Sequence, residues 1–355
     1  MLTHANGNLK VVSIGGGTGL STLLSGLKHF VASFDEEAYI ESLSAIVTVT
    51  DDGGSSGRLR EELQMLPPGD IRNCMIALSE DSTLLARLFR HRFRGSGDLG
   101  GHSFGNLFLA ALTDITGDFA EAVRLSSEVL ASKGHIFPAT VSDVRLVAEL
   151  EDGRQVHGET QITAARSRIQ SLRLVPSECL PLPEALAAIN AADVITLGPG
   201  SLFTSLIPNL LVNGVPEAIA SSKATRIFIA NLMTQPGETE GFGFREHLAT
   251  VRHYASQIHF DYTIVNRRAI TAEQAQMYAA DGAVQVLLTT PADATACDAG
   301  IEIVSADLLD EGEMVRHNSS RLARAVVDCA LGDRARKFAT AELPDRLDSN
   351  VIALN

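Results

Sequence analysis

Hydrophobic residues follow two alternating patterns along most of the chain. Short apolar runs at 11–14, 45–49, 194–197, 226–229, 262–265, 284–287 and 301–305 have the length of buried strands. Between them, apolar residues recur every three or four positions, as on the buried face of a helix. Strands that alternate with helices are typical of a parallel sheet covered on both faces. The sequence therefore predicts an α/β protein with a three-layer αβα, Rossmann-like, mostly parallel sheet.

The pattern changes to strict alternation between residues 139 and 175. Val144, Leu146 and Ala148 alternate with polar residues, and Asp152-Gly153 is a hairpin signal before a returning strand at 156–162. With a short strand at 173–175, this segment is predicted to form a small antiparallel β insert without chemistry of its own. We predict a single domain over 9–332, closed by a helix at 318–331, with flexible tails at 1–8 and 333–355.

Two of the predicted strands end in turns that are rich in glycine, and each turn leads into a predicted helix. The first turn contains Gly15, Gly16, Gly17, Thr18 and Gly19, and the second contains Gly198, Pro199, Gly200 and Ser201. Free N–H groups at a helix start, together with the helix dipole, favour an anion, and a phosphate is the expected one. A tight turn without a ligand is the alternative. The repetition of the motif favours one ligand held at two neighbouring strand ends.

The glycine spacing differs from two common nucleotide-binding motifs. Leu20 stands where the dinucleotide fingerprint G-x-G-x-x-G requires its third glycine, which disfavours a nicotinamide-dependent oxidoreductase without excluding one. The lysine of the P-loop pattern is also missing from the first turn.

Polar residues follow several of the predicted strands and flank the predicted helices. Asp51 and Asp52 end the second strand, where they are suited to bond a ribose hydroxyl or to hold a hydrated Mg²⁺, and a capped turn is the plain alternative. Asp70 is a predicted helix N-cap. The other candidate hydrogen-bonding residues are Ser55, Ser56, Asn73, His102, Ser103, Asn106, Asn231 and Thr234.

Composition and charge exclude several classes of protein. The 355 residues carry a net charge of −14 with a pI near 5.1, which argues against a general nucleic-acid binder or a membrane-surface protein. An anionic ligand must then be held by local groups. Cys74, Cys179, Cys297 and Cys329 have no C-x-x-C spacing and are expected to be buried free thiols. Without a signal-peptide pattern or a long apolar run, a cytoplasmic protein with no membrane insertion is predicted.

Six segments are specific enough to indicate a family. They are SIGGGTGLSTLLSGLK, VTDDGGSSGRLR, PPGDIRN, GHSFGNLFLAAL, LGPGSLFTSLIPNLL and NLMTQPGET, spread over residues 10–331. The chain resembles the bacterial gluconeogenesis factor family, which is similar to 2-phospho-L-lactate transferases. The resemblance implies a dimeric three-layer α/β protein that binds a nucleotide sugar such as UDP-N-acetylglucosamine. It also implies a role in cell shape and wall synthesis during growth on gluconeogenic carbon.

The resemblance also implies roles for individual residues. Gly16, Gly17 and Thr18 would face a phosphate, and Gly200 and Ser201 would face a second phosphate. Asp51 and Asp52 would face ribose or a metal. The pocket would be lined by Asn73, His102, Ser103 and Asn106, and its far wall would be formed by Asn231 and Thr234. A regulator without turnover is favoured. The alternative is an Mg²⁺-dependent transferase that acts on a nucleotidyl-activated substrate.

Overall fold

A seven-stranded parallel sheet forms the centre of the protein in a computed structural model that describes residues 8–31, 40–80, 84–288 and 300–341. The strands of this sheet, in chain order, are β1 (Leu9–Gly15), β2 (Ile40–Val47), β3 (His135–Pro138), β7 (Val194–Leu197), β8 (Thr225–Ile229), β9 (Tyr262–Asn266) and β10 (Glu302–Ala306). The strand order is β10-β9-β8-β7-β1-β2-β3. Helices cover both faces, which confirms the predicted fold class.

The helices connect these strands and supply most of the buried apolar surface. They are α1 (Gly17–Leu27), α2 (Gly54–Leu63), α3 (Gly69–Leu78), α4 (Leu84–Arg90), α5 (Phe104–Thr116), α6 (Phe119–Val129), α7 (Glu159–Ala164), α8 (Pro183–Ala191), α9 (Ile207–Leu210), α10 (Val215–Ser221), α11 (Phe244–Tyr254), α12 (Ala272–Ala280) and α13 (Ser319–Ala341). A π-helical turn, Leu202–Leu206, precedes α9. The closing helix therefore extends beyond the predicted end at 331.

The chain reverses its direction of travel across the sheet next to β1. From β1 it moves through β2 to β3 at one edge, and it then returns to place β7 on the other side of β1. Val11 pairs with Val194 and Ile14 with Leu197, so the two strands end at the same level. Ligands of open α/β sheets bind outside such a switch point, at the carboxyl ends of the strands.

The insert forms a separate three-stranded antiparallel sheet with the order β5-β4-β6. Its strands are β4 (Arg145–Leu150), β5 (Gln155–His157) and β6 (Ile169–Val175). The insert was predicted correctly, but the returning strand at 156–162 is wrong, because the chain leaves β5 at Gly158 and forms α7. Gly158 has a φ of +87°, which strands do not accommodate, and it starts the helix.

Three other local predictions need correction or qualification. The segment 284–287 is not a strand, because only Gln285 forms an isolated bridge, to Met233. Asp70 is not an N-cap: Pro68 holds that position, and Asp70 lies half-buried in the first turn of α3. Cys74, Cys179 and Cys329 are buried free thiols as expected, and Cys297 lies outside the described residues.

No single helix in the described ranges is both long enough and apolar enough to cross a lipid bilayer. Leu202–Leu210 and Val215–Ser221 reach the required length and composition only as a pair, which is bent by 75°.

Candidate functional site

The two glycine turns lie against each other at the switch point of the sheet. We call residues 15–19 the first corner and residues 198–201 the second corner. A Cβ atom added at Gly19 would lie 2.8 Å from the Gly200 nitrogen, and one added at Gly200 would lie 3.3 Å from the Gly16 carbonyl oxygen. Glycine at position 19 therefore permits the contact between the corners.

Both corners open onto one cavity of about 620 Å³, the first cavity. Of the predicted site residues, Gly16, Gly17, Thr18, Gly200, Ser201 and Asn231 line it. Its other walls include Arg316 and His317, which precede α13. Burial lowers the pKa of His317 to about 4, so its imidazole is neutral at pH 7.

A second cavity of about 730 Å³ adjoins the first one. The two cavities share six lining residues, which therefore lie at the junction between them: Glu159, Thr163, Met233, Gln235, Tyr278 and Val315. Asp51 and Thr234, both predicted site residues, line the second cavity. A third cavity of about 450 Å³, lined by Arg124 and Gly134 among others, shares no lining residue with these two.

A carboxyl group of the protein occupies the helix start at the first corner. The Asp70 side chain is half-buried there, and the Gly17 N–H stabilises its charged form. Burial, followed by repulsion from Asp51, nevertheless raises the pKa of Asp70 to about 7, with Arg72 acting in the opposite direction. Asp70 is therefore about half protonated near neutral pH, and its charge responds to any cation or anion that enters.

A second carboxyl group occupies the helix start at the second corner. Ser201 Oγ donates to Glu238 Oε2 at 2.5 Å, and Thr163 Oγ1 lies 3.5 Å from Oε1. Burial raises the pKa of Glu238, and these hydrogen bonds lower it in part. The Gly200 N–H donates to Asn231 Oδ1 at 3.2 Å. The polar groups expected to bind a second phosphate are thus bonded within the protein.

Glu159 is a site residue that the sequence analysis missed. It begins α7 of the insert and lines both the first and the second cavity. Burial, followed by the nearby carboxylates of Asp51 and Asp70, raises the pKa of Glu159 to about 9. The insert, predicted as sheet without chemistry of its own, therefore contributes a helix and an acidic residue to the cavity lining. The only signal was Gly158, which interrupts the alternation before Glu159.

Asp52 lines neither the first nor the second cavity and is instead hydrogen-bonded to the insert. Its Oδ1 accepts hydrogen bonds from the Thr160 N–H at 2.9 Å and from Thr160 Oγ1 at 2.7 Å. These bonds attach the start of α7 to the end of β2. Asp51 instead faces the second cavity, so the adjacent pair proposed for Mg²⁺ is divided between two tasks. Among the described side chains, no group of three or more His, Cys, Asp or Glu is placed to hold a metal ion.

Several other predicted residues form a buried network around Arg72. Arg72 donates to Ser103 Oγ at 2.7 Å, to Asn106 Oδ1 at 2.9 Å and to Asn73 Oδ1 at 2.7 Å. The remaining contacts are Asn106 Nδ2 to Ser55 Oγ at 3.0 Å and Ser55 Oγ to His102 Nδ1 at 2.9 Å. None of these residues lines the first or the second cavity. The network joins the starts of α2, α3 and α5 and so fixes α3, which carries Asp70.

Two further predicted residues pack next to the corners and do not line the first or the second cavity. Ser56 is buried on α2, where its hydroxyl packs against Gly69 at the start of α3. Gly198 has a φ of +89°, and a Cβ atom there would lie 2.8 Å from the Ile229 carbonyl oxygen. Both residues therefore shape the corners without lining the first or the second cavity.

Comparisons with known proteins identify the family of this chain. The family model described as 2-phospho-L-lactate transferase CofD matches residues 11–309. A putative gluconeogenesis factor from Nostoc is 48% identical over 90% of this chain and 68% of its own length. The gluconeogenesis factor of Bacillus subtilis is 43% identical over 90% of this chain and 97% of its own length.

Solved structures show the same relationship at the level of the fold. A crystal structure of a Bacillus halodurans protein superposes with a TM-score of 0.84 at 44% identity, covering 90% of this chain and 99% of that one. Another crystal structure of the same Bacillus halodurans protein, described as a member of the UPF0052 family, has the same TM-score and identity. Sequence and fold lead to one conclusion: the chain belongs to the 2-phospho-L-lactate transferase CofD family.

Proposed function

We propose that this protein is a nucleotide-sugar-binding regulator whose ligand is of the UDP-N-acetylglucosamine type. The observation that carries the proposal is the opening of both glycine corners onto one cavity at the switch point of the sheet. Its volume of about 620 Å³ lies within the range of ~300–1,000 Å³ that is usual for small-molecule sites. The described residues that line the cavity include no Ser-His-Asp arrangement of the kind used for nucleophilic catalysis.

The first corner is the place for the phosphates. Thr18 and Gly19 lie in the first turn of α1, where no intrahelical acceptor is available for their N–H groups, and both line the cavity. Arg316 lies exposed across from them and lines the same space. Backbone donors and a guanidinium are the groups that bind phosphate oxygens best. The second corner, with its donors bonded to Glu238 and Asn231, contributes shape instead.

The acidic groups near the first corner must be neutralised when a diphosphate binds. The carboxyl oxygens of Asp51 and Asp70 are hard ligands of the type that Mg²⁺ selects, and burial together with repulsion from Asp51 raises the pKa of Asp70. Asp51 and Asp70 would therefore hold Mg²⁺ better than the predicted pair of Asp51 and Asp52. The ion would offset the charge between carboxylates and phosphates. Protonation of Asp70 is the other route to the same neutralisation.

Isothermal titration calorimetry with UDP-N-acetylglucosamine and Mg²⁺ tests the proposal. Wild-type protein should bind, and Arg316→Ala should weaken binding about 10- to 100-fold, because a charge-assisted hydrogen bond contributes about 1.5–3 kcal/mol. Arg124→Ala, which alters the third cavity, is the matched control and should bind like wild type. Absence of heat at millimolar ligand with folded wild-type protein would contradict the proposal.

One observation favours a second candidate function, an Mg²⁺-dependent transferase of nucleotidyl-activated substrates. Asp51 and Asp70 lie beside a phosphate corner and next to a second cavity with room for an acceptor. Metal-assisted transfer needs carboxylates beside the phosphates. Phosphorus NMR of the protein with a nucleotide-activated phospholactate would detect turnover. Asp51→Asn should abolish it, and unchanged turnover in that variant would remove Asp51 from the mechanism.

Relatives named gluconeogenesis factors support a role during growth on gluconeogenic carbon. We propose that ligand binding supports cell shape and wall synthesis in the cytoplasm during growth on gluconeogenic carbon. Loss of the gene should then impair shape on such carbon and not on glucose. The predicted homodimer belongs to the same proposal, and light scattering of the purified protein should give twice the 37.8 kDa chain mass.

A further inference from the structure

Gln235 carries an unsatisfied polar atom at the junction of the first two cavities. Its Oε1 is buried and accepts no hydrogen bond from the described part of the chain, although the residue lines both cavities. The backbone of Gln235 is fixed, because its N–H donates to Thr239 Oγ1 at 2.8 Å and its carbonyl accepts from the Thr239 N–H at 2.9 Å. Buried amide oxygens normally have a donor, so a ligand that donates a hydrogen bond is indicated here.

Glu159 reaches the same junction from the insert. Its carboxyl receives no hydrogen bond from the residues that the structure describes, while the neighbouring Asp52 and Glu238 are both bonded to the protein. A carboxyl group offers acceptor positions for the donors of a ligand. Glu159 and Gln235 thus present polar groups to the space between α7 and the loop after β8.

An apolar surface completes the junction. Tyr278 and Met233 line both cavities, and the Tyr278 hydroxyl accepts a hydrogen bond from the Val315 N–H at 3.0 Å, which fixes the ring. A pyranose ring has hydroxyl groups around its edge and C–H groups on its faces. Carboxyl and amide groups beside a fixed aromatic ring match both features.

We propose that the second cavity holds the hexose of a nucleoside-diphosphate sugar, with Gln235 and Glu159 bonded to its hydroxyl or amide groups. This inference rests on the proposed function and deepens it by assigning the ligand an orientation. The α1 start lines only the first cavity, whereas Asp51 and Thr234 line only the second. The diphosphate therefore lies at the first corner, and the sugar extends past Glu159 toward the insert.

Paired calorimetric titrations with UDP and with UDP-N-acetylglucosamine test the orientation. Wild-type protein should bind the sugar nucleotide at least tenfold more tightly than UDP. Gln235→Ala should reduce that ratio about tenfold, since the sugar loses one hydrogen bond, and Glu159→Gln should reduce it less because the amide keeps a donor and an acceptor. Gln257→Ala is the matched control: this exposed glutamine donates to Glu217 at 3.0 Å on another surface and should leave the ratio unchanged.

Saturation-transfer NMR on the wild-type protein gives a second readout that needs no variant. The ring and acetyl protons of UDP-N-acetylglucosamine should receive saturation comparable to that of the uracil protons. A saturated uracil with an unsaturated sugar, or a Gln235→Ala protein with an unchanged ratio, would overturn the sugar site while leaving nucleotide binding intact. If neither ligand binds the wild-type protein, the proposed function itself fails.

Discussion

The two glycine corners have the same local plan but different polar surroundings. Each follows a parallel strand, and each helix start faces a carboxyl group of the protein, Asp70 at the first corner and Glu238 at the second. Glu238 is bonded to hydroxyl groups, whereas Asp70 lies next to another carboxylate, Asp51. The second corner is therefore satisfied within the protein, and the first still has charge and donors to share with a ligand.

This difference shows what a glycine-rich turn does and does not indicate. Such a turn marks a place where the backbone is accessible and another chain segment approaches closely. It does not indicate whether the helix start is free, because an acidic side chain from a distant segment competes with the ligand for the same N–H groups. In this protein the competing side chain at the second corner is that of Glu238, which lies 37 positions after its partner Ser201 in the chain.

Of the changes considered, removal of the Asp70 charge should have the largest effect on the free energy of unfolding. The pKa of Asp70 is raised from 3.8 to about 7, so the folded state binds more protons than the unfolded state between these values. Wild-type stability should thus fall as pH rises from 4 to 7. Asp70→Asn should increase the free energy of unfolding at pH 8 by up to about 4 kcal/mol and change it little at pH 4. Urea unfolding over this pH range measures both values.

Glu238→Gln is the matched variant at the second corner. Its stability gain at pH 8 should be smaller than that of Asp70→Asn, because the charged form of Glu238 is stabilised by Ser201 and Thr163. Equal gains in the two variants would mean that the two corners do not differ as described.

A smaller effect is expected from crowding the contact between the corners. Gly19→Ala places a Cβ atom 2.6 Å from the Pro199 carbonyl carbon, and overpacking of this kind costs about 1–3 kcal/mol. The urea midpoint should fall, and nucleotide binding should weaken with it. Gly97→Ala is the control, since a Cβ atom there meets nothing within 4 Å. Equal midpoints for the two variants would show that the corners are not in tight contact.

The smallest effect concerns the attachment of the insert beside the second corner. Asp52→Ala removes both hydrogen bonds to Thr160, and loss of such a helix-start contact costs about 0.5–2 kcal/mol. Amide hydrogen exchange in α7 should become faster. Asp152→Ala removes a carboxylate in the hairpin of the same insert and should leave α7 unchanged. Unaltered exchange in Asp52→Ala would show that its bonds to Thr160 do not stabilise the start of α7.

Local patterns were sufficient to predict most of the fold. The strand at 194–197 has the predicted bounds, and the strands predicted at 226–229 and 262–265 each differ from the observed strand by one residue, because their hydrophobic patterns are local. The helix α7 was not predictable in this way, since its start depends on Asp52, 108 positions away along the chain. Likewise Gln235 lies in the segment NLMTQPGET, but the lack of a hydrogen-bond partner for its side-chain oxygen depends on the tertiary packing around it and could not be predicted from the sequence.

Amide chemical shifts of selectively ¹⁵N-glycine-labelled protein during a titration with UDP-N-acetylglucosamine and Mg²⁺ test the central claim most directly. Gly17 and Gly19 in the first corner should shift strongly. Gly200, whose N–H is already bonded to Asn231, should shift less, and Gly134 in the third cavity should not shift. Shifts at Gly134 with none at Gly17 and Gly19 would contradict the account.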